Sequence, residues 1–350
     1  MLRQLDTQFR RRMPRSPLPW VALLAVTSPV AVAQGAIVPA PHAPAAEASS
    51  VFEVPAWLFP IPPPPAAPGA SAASETLHVP GSNETYTRAQ LTDLFAVPDW
   101  FPGAHPPMPS IVAHGRPPEL YACAYCHLAN GVGRPENATV AGLPAAYIEA
   151  QLASFRSGRR ACAWTRTAYR PTALMTQVAR AATDAEIVEA ASYFASLRLD
   201  KPRAEVVEAE PVPKTRPAAW LYETTGDGDE PLGMRIIEVP RDFARHELRD
   251  PHAEYVAYVP PGSIERGRKL ALEGTAGTPA CASCHGADLR GAGLVPPIAG
   301  RSPTYLLRQL VAFRTGARNA PAGAPMQPVV AGLTLDDMIA VAAYAATQQP

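Results

Sequence analysis

The chain has 350 residues, 47% hydrophobic and 18% charged, enough for two domains with packed cores; a fibrous or wholly disordered protein is excluded. Lys plus Arg and Asp plus Glu balance at 31 each, which argues against nucleic acid as a partner. The outlier is proline, at 42 residues, much of it before residue 120.

Residues 1–33 read as a secretory signal. Arg10, Arg11, Arg12 and Arg15 form a basic start, and an apolar run ends at the small residues Ala31-Val32-Ala33. An uncleaved membrane anchor is the alternative; the run is short for a span and contains Pro29. Cleavage would remove five Arg and one Asp, leaving 26 basic and 30 acidic residues and a net charge of −4. No other segment reads as membrane-spanning. Residues 34–107, rich in Pro and Ala around "FPIPPPPAAPGA", are predicted to form an extended arm, with Trp100 and Phe101 anchoring it on the domain that follows.

The five cysteines are Cys123, Cys126, Cys162, Cys281 and Cys284. An odd count fits a disulfide framework poorly. A zinc ribbon would not separate its two Cys pairs by 158 residues. A thioredoxin-like pair would need a βαβ context and no following histidine. What remains is CxxCH written twice, Cys123-x-x-Cys126-His127 and Cys281-x-x-Cys284-His285. Each pair of thiols can add across two haem vinyl groups, and each histidine can supply the proximal nitrogen to iron.

The motifs belong to a repeat. The offset of 158 that relates them also carries Tyr147 to Tyr305, Gln151 to Gln309, Phe155-Arg156 to Phe313-Arg314 and Gly158 to Gly316. The offset then becomes 151, taking Met175 to Met326, Thr183 to Thr334 and Tyr193 to Tyr344. The first repeat thus carries seven extra residues, Cys162 among them, where the thiol is expected to be buried and idle. Each repeat predicts a helix through Ile148, Leu152 and Phe155 or Leu306, Leu310 and Phe313, stopped at Gly158 or Gly316. A second helix opens at Thr183 with Glu186, or Thr334 with Asp337, as capping boxes. A helix over 264–273 leads into the second motif; its counterpart near 111–122 is interrupted by Pro117-Pro118 and should be shorter. Met175 and Met326 fall between the two later helices, in a predicted loop. Met175 is the one Met between His127 and Met234, with no His in that interval, and Met338 matches the core position Ile187. Met175 and Met326 are therefore the candidate sixth ligands, ahead of His105 and Met108 in the arm.

Together these features resemble the class I c-type cytochromes, in particular dihaem cytochrome c4-like and c553-like proteins, over about 90 residues twice. The resemblance implies a mainly α fold with two tandem cytochrome c domains, at 108–200 and 259–350, and two covalent haem c groups. His127 and Met175 would ligate one iron, His285 and Met326 the other. In the family, a proline-containing loop offers a backbone carbonyl to the proximal histidine; Pro296-Pro297-Ile298 fits that pattern, whereas Ala138-Thr139-Val140 departs from it. Residues 201–258 have no counterpart in the pattern. Their short β-type runs around "GDGDEPLG", read as a turn cluster, predict a small hairpin or three-stranded patch.

The function expected is electron carriage in the periplasm between redox proteins such as a dehydrogenase, a cytochrome complex or an oxidase. Two other readings stand beside it: a peroxidase-like haem enzyme with one open iron face, and a dedicated electron-accepting subunit of a dehydrogenase complex.

Overall fold

The computed structural model describes residues 52–64, 75–166 and 169–350; the segment read as a secretory signal lies outside them. Residues 75–107 are not simply extended. Strand β1 (Thr76–Leu77) pairs antiparallel with β2 (Tyr86–Thr87), and Thr87 caps the short helix α1 (Arg88–Leu91). Val79, Leu91 and Trp100 close a small buried cluster, which the high proline content obscured in the sequence. Its anchor also differs from expectation. The Trp100 indole donates to the carbonyl of Leu248, in the segment between the repeats, at 2.7 Å.

The first repeat contributes α2 (Ser110–Ala113), α3 (Cys123–His127), α4 (Ala145–Arg156), α5 (Arg170–Ala181) and α6 (Asp184–Ser196). Helix α2 ends ahead of Pro117-Pro118, as the sequence predicts. Helix α4 stops before Gly158, whose φ of +74° is open to glycine at little cost; Gly316 repeats this at +73°. The capping box at α6 is formed: Thr183 Oγ1 accepts from the Glu186 N–H and the Glu186 carboxylate accepts from the Thr183 N–H. Ile111, Val112, Ile148, Ile187, Ala191 and Phe194 build the core of this half.

Between the repeats run β3 (Glu205–Glu208), β4 (Val212–Ala218), β5 (Leu221–Glu230), β6 (Ile237–Pro240), α7 (Phe243–Glu247) and β7 (Tyr255–Val259). Both predicted β forms are present. Strands β4 and β5 make an antiparallel hairpin, while β3, β7 and β6 make a three-stranded sheet in that order, β3 parallel to β7 and β6 antiparallel to it. The hairpin turn is Ala219-Trp220, both at positive φ, and not the glycine-rich stretch. Gly226 and Gly228 lie inside β5, where a register shift between Pro213 and Thr215 absorbs the irregularity.

The second repeat consists of α8 (Ser263–Glu273), α9 (Ala282–His285), α10 (Pro303–Arg314), α11 (Met326–Ala331) and α12 (Leu335–Thr347). Helices α8 and α12 approach so closely that a Cβ at Gly267 would meet the Ala340 carbonyl oxygen at 1.9 Å. Ser302 caps α10 by accepting from the Tyr305 N–H at 3.2 Å, with Pro303 at the first helical position. Leu307, Val311, Phe313, Met338 and Ile339 are buried, and the β-sheet adds Tyr255, Ala257 and Val259 to the same core. So do Ala163 and Tyr169 from the segment between α4 and α5, with Cys162 packed alongside.

Val51–Pro350 forms one compact unit. The halves meet about an approximate twofold relation centred on Arg160 and Arg318, which pair as an isolated antiparallel bridge. The Arg160 guanidinium donates to Gln151 at 2.8 Å in its own half and to Tyr305 and Gln309 at 2.8 and 2.9 Å across the boundary. Arg318 mirrors it, donating to Gln309 at 3.2 Å and across to Tyr147 and Gln151 at 2.8 and 2.9 Å. Both arginines are buried.

Candidate haem-attachment sites

Each CxxCH sits on a short helix that turns its histidine inward. His127 Nδ1 donates to the Ala138 carbonyl at 2.8 Å, and His285 Nδ1 donates to the Pro296 carbonyl at 2.8 Å. A carbonyl oxygen can only accept, so the proton must sit on Nδ1. The Nε2 lone pair is then free, the form an iron ligand needs. Burial lowers both histidine pKa values and keeps the rings neutral.

Ala138 stands 11 residues after His127, as Pro296 does after His285. The departure from the proline-containing loop therefore changes nothing in the contact: the bond is made by the backbone, whatever the side chain. The loop is held by other means. Thr139 Oγ1 donates to the Val132 carbonyl at 2.7 Å. Arg301, from the other repeat, donates to the carbonyls of Thr139 and Ala141 at 2.7 and 3.2 Å.

The cysteines are unbridged. Burial pushes the thiol of Cys123 up to about 12 and that of Cys281 up to about 11, and it raises Cys126 as well. A dithiol redox pair needs the opposite, a stabilised thiolate. Among the described residues no group of three or more His, Cys, Asp or Glu side chains gathers as a bare metal-ion site. Paired thiols followed by a neutral, oriented imidazole fit covalent haem, with His127 and His285 as the side chains that could hold its iron. Burial also raises the Cys162 thiol.

The methionines are placed less symmetrically than their sequence match implies. Met175 is inside α5 and not in a loop. Pro171 in the first turn favours the helix start. Met326 is not in a loop either: it opens the shorter α11 and packs against the second core. Met338 is fully buried, as a core residue should be. His105 meets the Asp99 carboxylate at 3.0 Å and the Tyr193 hydroxyl at 3.1 Å.

Arg160, Arg301, Arg318 and Arg249 were not singled out in the sequence. The pair Arg160 and Arg318 was within reach, since the 158-residue offset relates them as it relates the motifs. Nothing in the local sequence marks Arg301 or Arg249, because their partners are main-chain carbonyls far along the chain.

Comparison with known proteins gives the same direction. The cytochrome c family model matches residues 264–349. A thiosulfate dehydrogenase electron acceptor from Thiomonas intermedia (strain K12) is 27% identical over 237 residues, 66% of this chain and 81% of that protein. Cytochrome c-554(548) of Halomonas halodenitrificans is 39% identical over 70 residues, 20% of this chain and 84% of that protein. Among solved structures, thiosulfate dehydrogenase from Marichromatium purpuratum aligns at 27% identity and a TM-score of 0.45; 68% of this chain is covered, but only 39% of that one. On the match to a small cytochrome across most of its length, and on the family model lying over the second motif and its helices, the chain belongs to the cytochrome c family of electron-transfer proteins.

Proposed function

We propose that the chain is an exported dihaem cytochrome c, carrying electrons between redox proteins in the periplasm after removal of residues 1–33. Its two cytochrome c domains are residues 108–200 and 259–350, joined by the β-containing segment 201–258. One haem is joined to Cys123 and Cys126, with His127 and Met175 on its iron; the other is joined to Cys281 and Cys284, with His285 and Met326. The observation that carries the reading is the duplicated histidine anchor, each Nδ1 bound to a carbonyl at 2.8 Å.

When bound, haem c supplies a one-electron Fe(III)/Fe(II) couple. The residues of the chain do the rest. Ala138 and Pro296 hold the imidazole rings in one orientation. The second core buries His285, while His127 is half-buried against Phe194. Methionine, as sixth ligand, would favour the reduced state. Redox partners would dock briefly on small patches. Among the described residues no helix is long and apolar enough to cross a membrane.

The test is a haem count by alkaline pyridine haemochrome, followed by optical spectra of the reduced protein with and without carbon monoxide. Two haems per chain and no spectral change are expected. A change in about half the haem would mean one open iron face and would put the haem-enzyme reading first; Met175→Ala and Met326→Ala would then assign it. A second reading, the electron-accepting subunit of a dehydrogenase, draws on the thiosulfate dehydrogenase electron acceptor that matches 66% of this chain. A partner enzyme that stays bound through size-exclusion chromatography would favour it over a free carrier.

A further inference from the structure

The two CxxCH segments are alike in sequence and unlike in surroundings. Tyr125, just ahead of Cys126, is gripped by Arg249. The Arg249 Nη1 donates to the Tyr125 carbonyl at 2.6 Å, and its guanidinium carbon lies 3.6 Å from the Tyr125 ring centroid. Arg249 follows α7 and sits at a φ of +57°; its Nε donates to the Leu91 carbonyl at 3.2 Å. The Leu94 carbonyl accepts from the Ala122 N–H at 2.9 Å, and Phe95 meets Tyr121 edge-on with centroids 5.5 Å apart. Two segments outside the first repeat therefore close over its motif.

The second motif has no such cover. Among the described residues, the hydrogen bonds of 281–285 stay within 280–296. Ser283 stands where Tyr125 stands in the first motif, exposed beside an exposed Cys284. Leu294, nearby in sequence, is 67% exposed.

Charge follows the same asymmetry. Arg249 makes no ion pair among the described residues, while the neighbouring Arg134 is offset by Glu136 at 2.8 Å. His246, beside this group, is held neutral by burial. Around the second motif the charged neighbours are the exposed Arg290 and Asp288, 3.6 Å apart. Arg160 and Arg318 make mirrored hydrogen bonds to Gln151 and Gln309, so they do not distinguish the two sites. A nearby cation favours the added electron.

We propose that Arg249 sets the potential of the haem joined at Cys123 and Cys126 above that of the other haem. The electron then rests at the covered site and exchanges with partners through the exposed edge at Ser283 and Cys284. The proposal rests on the two-haem reading above.

The experiment is a spectroelectrochemical titration of the full haem-loaded chain, resolving two one-electron steps, with haem content measured on every sample. Arg249→Gln should lower the reduction equilibrium constant of the upper step about tenfold, about 59 mV for one electron, and move the lower step less. Arg249→Lys should restore most of the loss, which repair of a purely structural defect would not require of charge alone. A separate variant leaves the clamp intact: Ser283→Asp, at an exposed position, should depress the lower step only. Two haems with an unmoved upper step in Arg249→Gln, or a shift of the upper step in Ser283→Asp, would overturn the proposal. A haem count below two would overturn the two-haem reading, and this proposal with it.

Discussion

Arg301 ties the second repeat to the loop that orients the histidine of the first, and its removal has a calculable effect. Its guanidinium makes two charge-assisted bonds, to the carbonyls of Thr139 and Ala141. At about 1.5–3 kcal/mol each, they contribute roughly 3–6 kcal/mol. Against this stands the burial of the cation, which lowers its pKa from 12.5 to about 10. At about 1.4 kcal/mol per pH unit, that costs roughly 3 kcal/mol. Arg301→Met should therefore lower global stability by only about 0–3 kcal/mol. The larger effect should be local. Ala138, whose carbonyl holds His127, is the residue before Thr139. Freed from Arg301, the loop should let that imidazole turn, and the anchor at Pro296 should be untouched. Urea denaturation gives the first quantity. Electron paramagnetic resonance of the oxidised, haem-loaded protein gives the second, with one of two low-spin ferric signals expected to shift or broaden. Two unchanged signals, two equally changed signals, or a stability loss beyond about 5 kcal/mol would refute the reasoning.

The shared acceptors at the domain boundary predict coupling. Arg160→Met and Arg318→Met should together cost more than the sum of the two single losses, by about 0.5–3 kcal/mol, because each glutamine carbonyl keeps one guanidinium in a single variant and none in the double. Additive denaturation midpoints would contradict that. Thr183→Ala and Thr334→Ala remove equivalent capping boxes and should each cost about 1 kcal/mol, measured by thermal unfolding; a loss in one repeat alone would mean that the boxes are not equivalent. Glu238 is buried, takes a hydrogen bond from Ser302 Oγ at 2.6 Å, and has its pKa raised by burial. Its folded form thus holds a proton that the unfolded form releases, so its contribution is full below the unfolded carboxyl range and is lost as pH rises through the folded value. Glu238→Gln should flatten this dependence and raise the melting temperature at pH 8 relative to pH 5; a steeper fall with pH would reverse the sign.

Much of the architecture was legible because it is written twice. Two offsets, 158 and then 151, located both motifs, both capping boxes and the helices between them, and Gly158 and Gly316 marked the ends of α4 and α10. Met175 was misplaced for a local reason: a match of position between repeats says nothing of the local conformation, and here Pro171 in the first turn starts α5 ahead of the methionine. The arm was misread because composition averages over residues, while four or five apolar side chains, Trp100 among them, suffice to close a small core. The orienting carbonyl of Ala138 could not be read from side chains at all, since the contact belongs to the main chain.

The boundary around Arg160 and Arg318 has a further consequence. Each half presents tyrosine, glutamine and arginine, and each accepts the same three residues in return. Such a surface is isologous, the kind through which two identical subunits associate. Either half alone carries the elements of a homodimer contact, and the covalent connection through residues 201–258 replaces a concentration-dependent encounter with an intramolecular one. Dilution, which dissociates a dimer, cannot part these two halves. The pairing can therefore rest on a modest polar interface and persist at any abundance of the protein.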